Sequence, residues 1–191
     1  MLVGLPNILT VLRIALVPVF AIAFALPGMT ARLIAFAVFT IAGLSDALDG
    51  LAARKLNAGS DFGRMLDPIA DKILVGVALM MLVAGGSFDG WKLVPALVIL
   101  AREILVSGLR EFLAGADVSV PVSFFAKIKT TIQMIAIGAM ILGPMADKIV
   151  PGALAFAYVA LWVAAGLTVA TGYVYLRAGL AHTRPRRETA A

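Results

Sequence analysis

Asp46, Asp49, Asp67 and Asp71 are the residues of this chain whose type and spacing are best suited to chemistry. On a helix, Asp46, Asp49, Gly50 and Ala53 fall at i, i+3, i+4 and i+7, which is one face. Gly63, Asp67 and Asp71 follow at i, i+4 and i+8 on a second. The first face closes one long apolar segment and the second opens the next, so two neighbouring helices could aim four carboxylates at a common point. Bare, the four would repel one another, and each would cost roughly 2.5–3.5 kcal/mol if it reached the centre of a bilayer. Divalent cations make the cluster physically reasonable. Hard ions such as Mg²⁺ or Mn²⁺ take oxygen ligands, and Mg²⁺ readily shares its shell with substrate phosphates. The small residues on both faces leave room for a bulky group to approach the backbone.

The elements that must position these groups are membrane helices. Of 191 residues, 62% are hydrophobic and 14% charged, with a mean hydropathy of +1.02. An ordinary globular domain is about half apolar and about a quarter charged. There is no cysteine, which excludes disulfide and thiolate chemistry, and the single histidine, His182, lies in the charged C-terminal tail. A buried base or metal ligand must therefore come chiefly from Asp, Glu, Lys, Ser, Thr or Tyr. The net charge of +5 sits on residues that flank apolar segments, a pattern of topology signals rather than of nucleic-acid binding.

Six apolar segments are readable, at about 8–26, 33–53, 65–84, 93–113, 122–142 and 153–176. Leu5-Pro6-Asn7 forms a short interfacial lead-in, and Arg13 inside the first segment marks it as an uncleaved span rather than a signal peptide. Six spans put both termini on one side. That side holds Arg54, Lys55, Arg64, Arg110, Lys127, Lys129, Arg177, Arg184, Arg186 and Arg187, against Arg32, Lys92 and Lys148 on the other. The positive-inside rule then places both termini and the carboxylates at the cytoplasmic face. The expected fold is an all-α integral membrane protein, a single domain over 1–191. It has six transmembrane helices, a polar active-site cavity facing the cytoplasm and a flexible basic tail over 178–191.

The pattern DxxDGxxAR, eight residues, then GxxxDxxxD is the signature of the CDP-alcohol phosphatidyltransferases. The chain resembles that family at all eight fixed positions: Asp46, Asp49, Gly50, Ala53, Arg54, Gly63, Asp67 and Asp71. The opening Leu5 to Arg13, the Ala101-Arg102-Glu103-Ile104 run, Ser107 to Phe112 and Lys127 to Met134 are similar to a bacterial branch of the family. In that branch the acceptor is glycerol 3-phosphate. The resemblance covers nearly the whole chain. It implies transfer of the phosphatidyl group of CDP-diacylglycerol to the 1-hydroxyl of glycerol 3-phosphate, with release of CMP. It also implies a homodimer in the bacterial inner membrane, among membrane lipids. Two Mg²⁺ or Mn²⁺ ions would lie among Asp46, Asp49, Asp67 and Asp71, with Asp71 as the proton acceptor.

Each further assignment competes with a plainer one. Asp71 is a base, or a metal ligand only, with solvent taking the proton. Gly50, Ala53 and Gly63 admit the CDP moiety to the helix backbone, or simply let helices pack closely. Arg54 pairs with a nucleotide phosphate or sets topology, and Ser60 in the loop adds a hydrogen bond. Asn7 and Thr10 touch the nucleotide, or Asn7 caps a helix. Arg102, Arg110, Lys127 and Lys129 bind the acceptor phosphate, or pair with Glu103 and Glu111 inside the bundle. The same fold could also serve another acceptor, such as inositol phosphate, serine or a second phosphatidylglycerol. A cation transporter would want carboxylates deeper or on the far face, and a membrane scaffold would not need a complete carboxylate motif.

Overall fold

The computed structural model describes the backbone of residues 5–56, 61–116 and 124–183, and within it the side chains of 8–45, 66, 68–116 and 126–180. The described residues are helical, with no strand among them. Six long helices, α1 (Leu5–Ala25), α2 (Met29–Leu56), α3 (Asp61–Ala84), α4 (Leu93–Gly115), α5 (Phe124–Leu142) and α7 (Ala153–Thr183), follow the six apolar segments. A short helix, α6 (Pro144–Ile149), lies between α5 and α7, and a 3₁₀ turn at Gly90–Lys92 precedes α4.

Helix ends fall where the backbone needs a residue without a Cβ or an N–H. After α3, Gly86 adopts φ +73°, its N–H bonds the carbonyl of Val83 and that of Ser87 bonds Leu82. This paired pattern is a Schellman stop, and glycine enters its left-handed position at little steric cost. Pro144 opens α6 at a position where a helix has no use for its N–H.

Three boundaries differ from the sequence expectation. Leu5-Pro6-Asn7 is the first turn of α1, not a separate lead-in, since proline is tolerated where helical N–H groups have no partner. The region after Leu142 contains α6, which the apolar count passed over because Asp147 and Lys148 interrupt it. Helix α7 continues through Thr183, into the first part of the expected tail, its small and apolar residues giving no breaker to end it.

α1 packs against α2 and α3, while α7 packs against α4 and α5, and contacts of α2 with α5 and α3 with α4 join the two groups. The centre is largely apolar, with phenylalanine rings in it. Phe20, Phe39, Leu74, Ile99, Ile137 and Leu161 are buried, and the Phe20 ring lies 5.9 Å from that of Phe39 and 6.0 Å from that of Phe24. α2 meets α5 closely: a Cβ built at Gly43 would stand 2.5 Å from Met134 Cε. Large apolar side chains also cover the outside, among them Ile22, Met80, Ile104, Phe156 and Val159. Water would not tolerate so continuous an apolar exterior, whereas lipid does. Ile8–Ala25 in α1 and Ala153–Leu180 in α7 are each long and apolar enough to cross a bilayer.

Candidate active site

α2 runs unbroken as helix through Asp46, Asp49, Gly50, Ala53 and Arg54, and α3 runs through Gly63, Asp67 and Asp71. The two helices are in contact. The helical spacing expected of both acidic sets is therefore present in the backbone. The side chains of Asp46, Asp49, Arg54, Asp67 and Asn7 lie outside the described residues, as do those of the helical small residues beside them; Ser60 lies outside altogether.

Asp71 is the described member of the four. Its side chain is 37% exposed, with the Lys72 ammonium 3.9 Å from Oδ2. It stands on the wall of a cavity of about 580 Å³ to which α1, α2, α3 and α5 contribute. Arg13, Thr40, Gly43, Thr130, Thr131 and Met134 line the same cavity, and the rest of its lining is apolar. The Thr130 and Thr131 hydroxyls donate to the carbonyls of Ala126 and Lys127, one turn back on their own helix. A hydroxyl committed in this way still has lone pairs to accept a hydrogen bond. The cavity thus joins the Asp71 carboxylate to a largely apolar cleft between helices.

Arg13 is the residue that sequence reasoning passed over as a mere charge within a span. It is fully buried and shares the cavity wall with Asp71. A charged group withdrawn from solvent in this way needs polar or ionic partners. Thr10, three residues earlier and on the same face of α1, is also buried. The signals available beforehand were an arginine inside an apolar stretch and its place at the end of the Leu5 to Arg13 run.

The four basic residues considered for the acceptor separate into two kinds. Lys129 is 4% exposed in its side chain and its Nζ donates to Glu103 Oε1. Arg102 Nη1 lies 3.5 Å from the same oxygen, while its Nε donates to the Thr168 carbonyl at 3.1 Å and Nη2 to Thr171 Oγ1 at 2.9 Å. This is the pairing inside the bundle that competes with phosphate binding, and it ties α4 to α5 and α7. Lys127 and Arg110 are exposed. None of the four lines the Asp71 cavity.

Fold and site together define an all-helical membrane protein with four aspartates on the adjoining ends of two packed helices. The chain belongs to the CDP-alcohol phosphatidyltransferase family, whose model matches residues 3–177. A protein of Rickettsia bellii named CDP-diacylglycerol–glycerol-3-phosphate 3-phosphatidyltransferase is 48% identical over 175 residues, covering 92% of this chain and 94% of its own. A protein of the same name from Rickettsia felis is 47% identical over the same shares. One from Pectobacterium atrosepticum is 42% identical over 177 residues, again covering 92% of this chain and 94% of its own.

Proposed function

We propose that this protein transfers the phosphatidyl group of CDP-diacylglycerol to glycerol 3-phosphate, giving phosphatidylglycerophosphate and CMP. The single observation that carries the reading is Asp71 on the wall of a cleft that joins a few polar side chains to a predominantly apolar lining. Such a cleft suits a substrate with a pyrophosphate head and a lipid body. Relatives of that name align along nearly the whole chain.

The donor set fits a hard divalent ion: carboxylates only, on two packed helices, in a chain without cysteine and with its one histidine at position 182. Asp46, Asp49, Asp67 and Asp71 would hold two Mg²⁺ or Mn²⁺ ions. When bound, these ions neutralise charge on the pyrophosphate and on the departing CMP. The chain's own groups do the rest. Asp71 accepts the proton of the acceptor's primary hydroxyl as that oxygen bonds to the phosphatidyl phosphorus. The phosphorus–oxygen bond to CMP breaks, and the electron pair leaves with CMP. Arg54 and Ser60 hold the nucleotide phosphates and Asn7 and Thr10 its polar groups, while Gly50, Ala53 and Gly63 let it lie against backbone. Lys127 and Arg110 attract the acceptor's phosphate. Arg102 and Lys129, paired with Glu103, hold α4, which carries Arg110, against α5, which carries Lys127.

Both termini and the site face the cytoplasm of the inner membrane, with six helices spanning it and two copies forming the working unit. The ten-to-three excess of cations on one side supports that orientation. The test is CMP release from CDP-diacylglycerol by the purified protein with Mg²⁺ or Mn²⁺ and a panel of acceptors. Glycerol 3-phosphate is expected to give the greatest rate, ahead of inositol phosphate, serine, phosphatidylglycerol and glycerol. Equal release with glycerol and glycerol 3-phosphate would contradict a phosphate-reading acceptor site.

A further inference from the structure

The sequence leaves only Arg32, Lys92 and Lys148 on the side away from the aspartates, and the structure gathers all three around one place. A second cavity, of about 530 Å³, opens among the turns joining α1 to α2, α3 to α4 and α5 to α6. Arg32 and Lys148 line it, and so does Tyr158, whose ring the Lys92 ammonium approaches to 5.1 Å. The Tyr158 hydroxyl donates to the Ser87 carbonyl, which fixes α7 against the turn after α3. Met29, Leu142, Met145 and Leu154 supply an apolar wall.

The acids at this end are already engaged. Asp89 holds Lys92 at 3.1 Å, and that hydrogen bond keeps the lysine above its usual pKa range. Asp147 Oδ1 accepts the N–H of Leu154 at 2.9 Å. Neither lines the cavity. Arg32 is held by the face of Phe24, its Cζ 3.9 Å from the ring centroid. That contact fixes the guanidinium without neutralising it. Two cations from different helices, one of them positioned by a ring, therefore face a cavity whose wall has no carboxylate and is otherwise greasy.

We infer that this cavity binds the phosphate of an anionic phospholipid in the leaflet away from Asp71, through Arg32 and Lys148. A negatively charged phosphate matches the two cations, and the apolar wall matches the acyl chains next to a headgroup, which a free phosphate would leave exposed. Lys92, paired with Asp89 and not on the cavity wall, has no part in it.

The probe is spin-labelled phosphatidylglycerol against spin-labelled phosphatidylcholine, with the full-length protein in phosphatidylcholine vesicles, reading the motionally restricted fraction at the protein. Wild type is expected to prefer phosphatidylglycerol. Arg32→Gln and Lys148→Gln are each expected to lower that preference by roughly 5-fold, with CMP-releasing turnover unchanged as proof of folding. Lys92→Gln removes the same formal charge and is expected to keep the preference. Millimolar inorganic phosphate is expected not to displace the lipid. Equal affinity for both lipids, equal losses in all three variants, or displacement by inorganic phosphate would overturn the inference.

Discussion

Asp71 carries the heaviest demand of any single side chain. It is exposed enough to meet a hydroxyl and lies against a largely apolar cleft. The chain's one histidine, His182, lies far along the sequence from the acidic motif, so the proposed proton acceptance is assigned to a carboxylate. General-base catalysis contributes about 10²–10⁴-fold. Asp71→Asn is therefore expected to cut turnover by at least about 100-fold while membrane insertion and thermal unfolding stay as in wild type. Near-normal CMP release by that variant would remove Asp71 from the mechanism. The helical register of the four aspartates was legible because spacing on a helix is legible. Arg13 was not, because one arginine in an apolar run has the same sequence signature whether it snorkels to an interface or turns inward; only the packing of α1 on α2 and α3 decides.

Among elements, α4, α5 and α7 are joined through Glu103. Its carboxylate takes the Lys129 ammonium and lies beside Arg102, which in turn reaches the backbone and a hydroxyl of α7. Removing one partner of a buried pair leaves the other charge uncompensated, at about 3–5 kcal/mol. Glu103→Gln is expected to lower the thermal midpoint in detergent accordingly, and the double variant Glu103→Leu with Lys129→Met to recover part of the loss. An unchanged midpoint for the single variant would show that the pair does not hold the helices. The direction of Lys129 could not be read beforehand, because it depends on which face of α5 meets α4. Most helix limits could be read, since apolar runs ended at glycine or proline: Pro27-Gly28 and Gly85-Gly86 mark real stops. α6 escaped because six residues carrying two charges look like a loop.

In the proposed topology the molecule has the four aspartates and ten cations toward one side, three cations toward the other, and exposed apolar side chains between them. The absence of native cysteine makes its orientation directly measurable. A single cysteine at Trp91, which is 82% exposed, is expected to react with a membrane-impermeant maleimide from outside intact cells, and one at Thr189 only after lysis. The reverse pattern would invert the topology. The central claim is that aspartates of α2 and α3 serve the same ions. Titration of Mn²⁺ into the purified protein with CDP-diacylglycerol, read by electron paramagnetic resonance, tests it most directly. Two ions per chain are expected in wild type, with the pair weakened by either Asp49→Asn on α2 or Asp67→Asn on α3. Undiminished Mn²⁺ binding in Asp67→Asn would show that the two helices do not share a site.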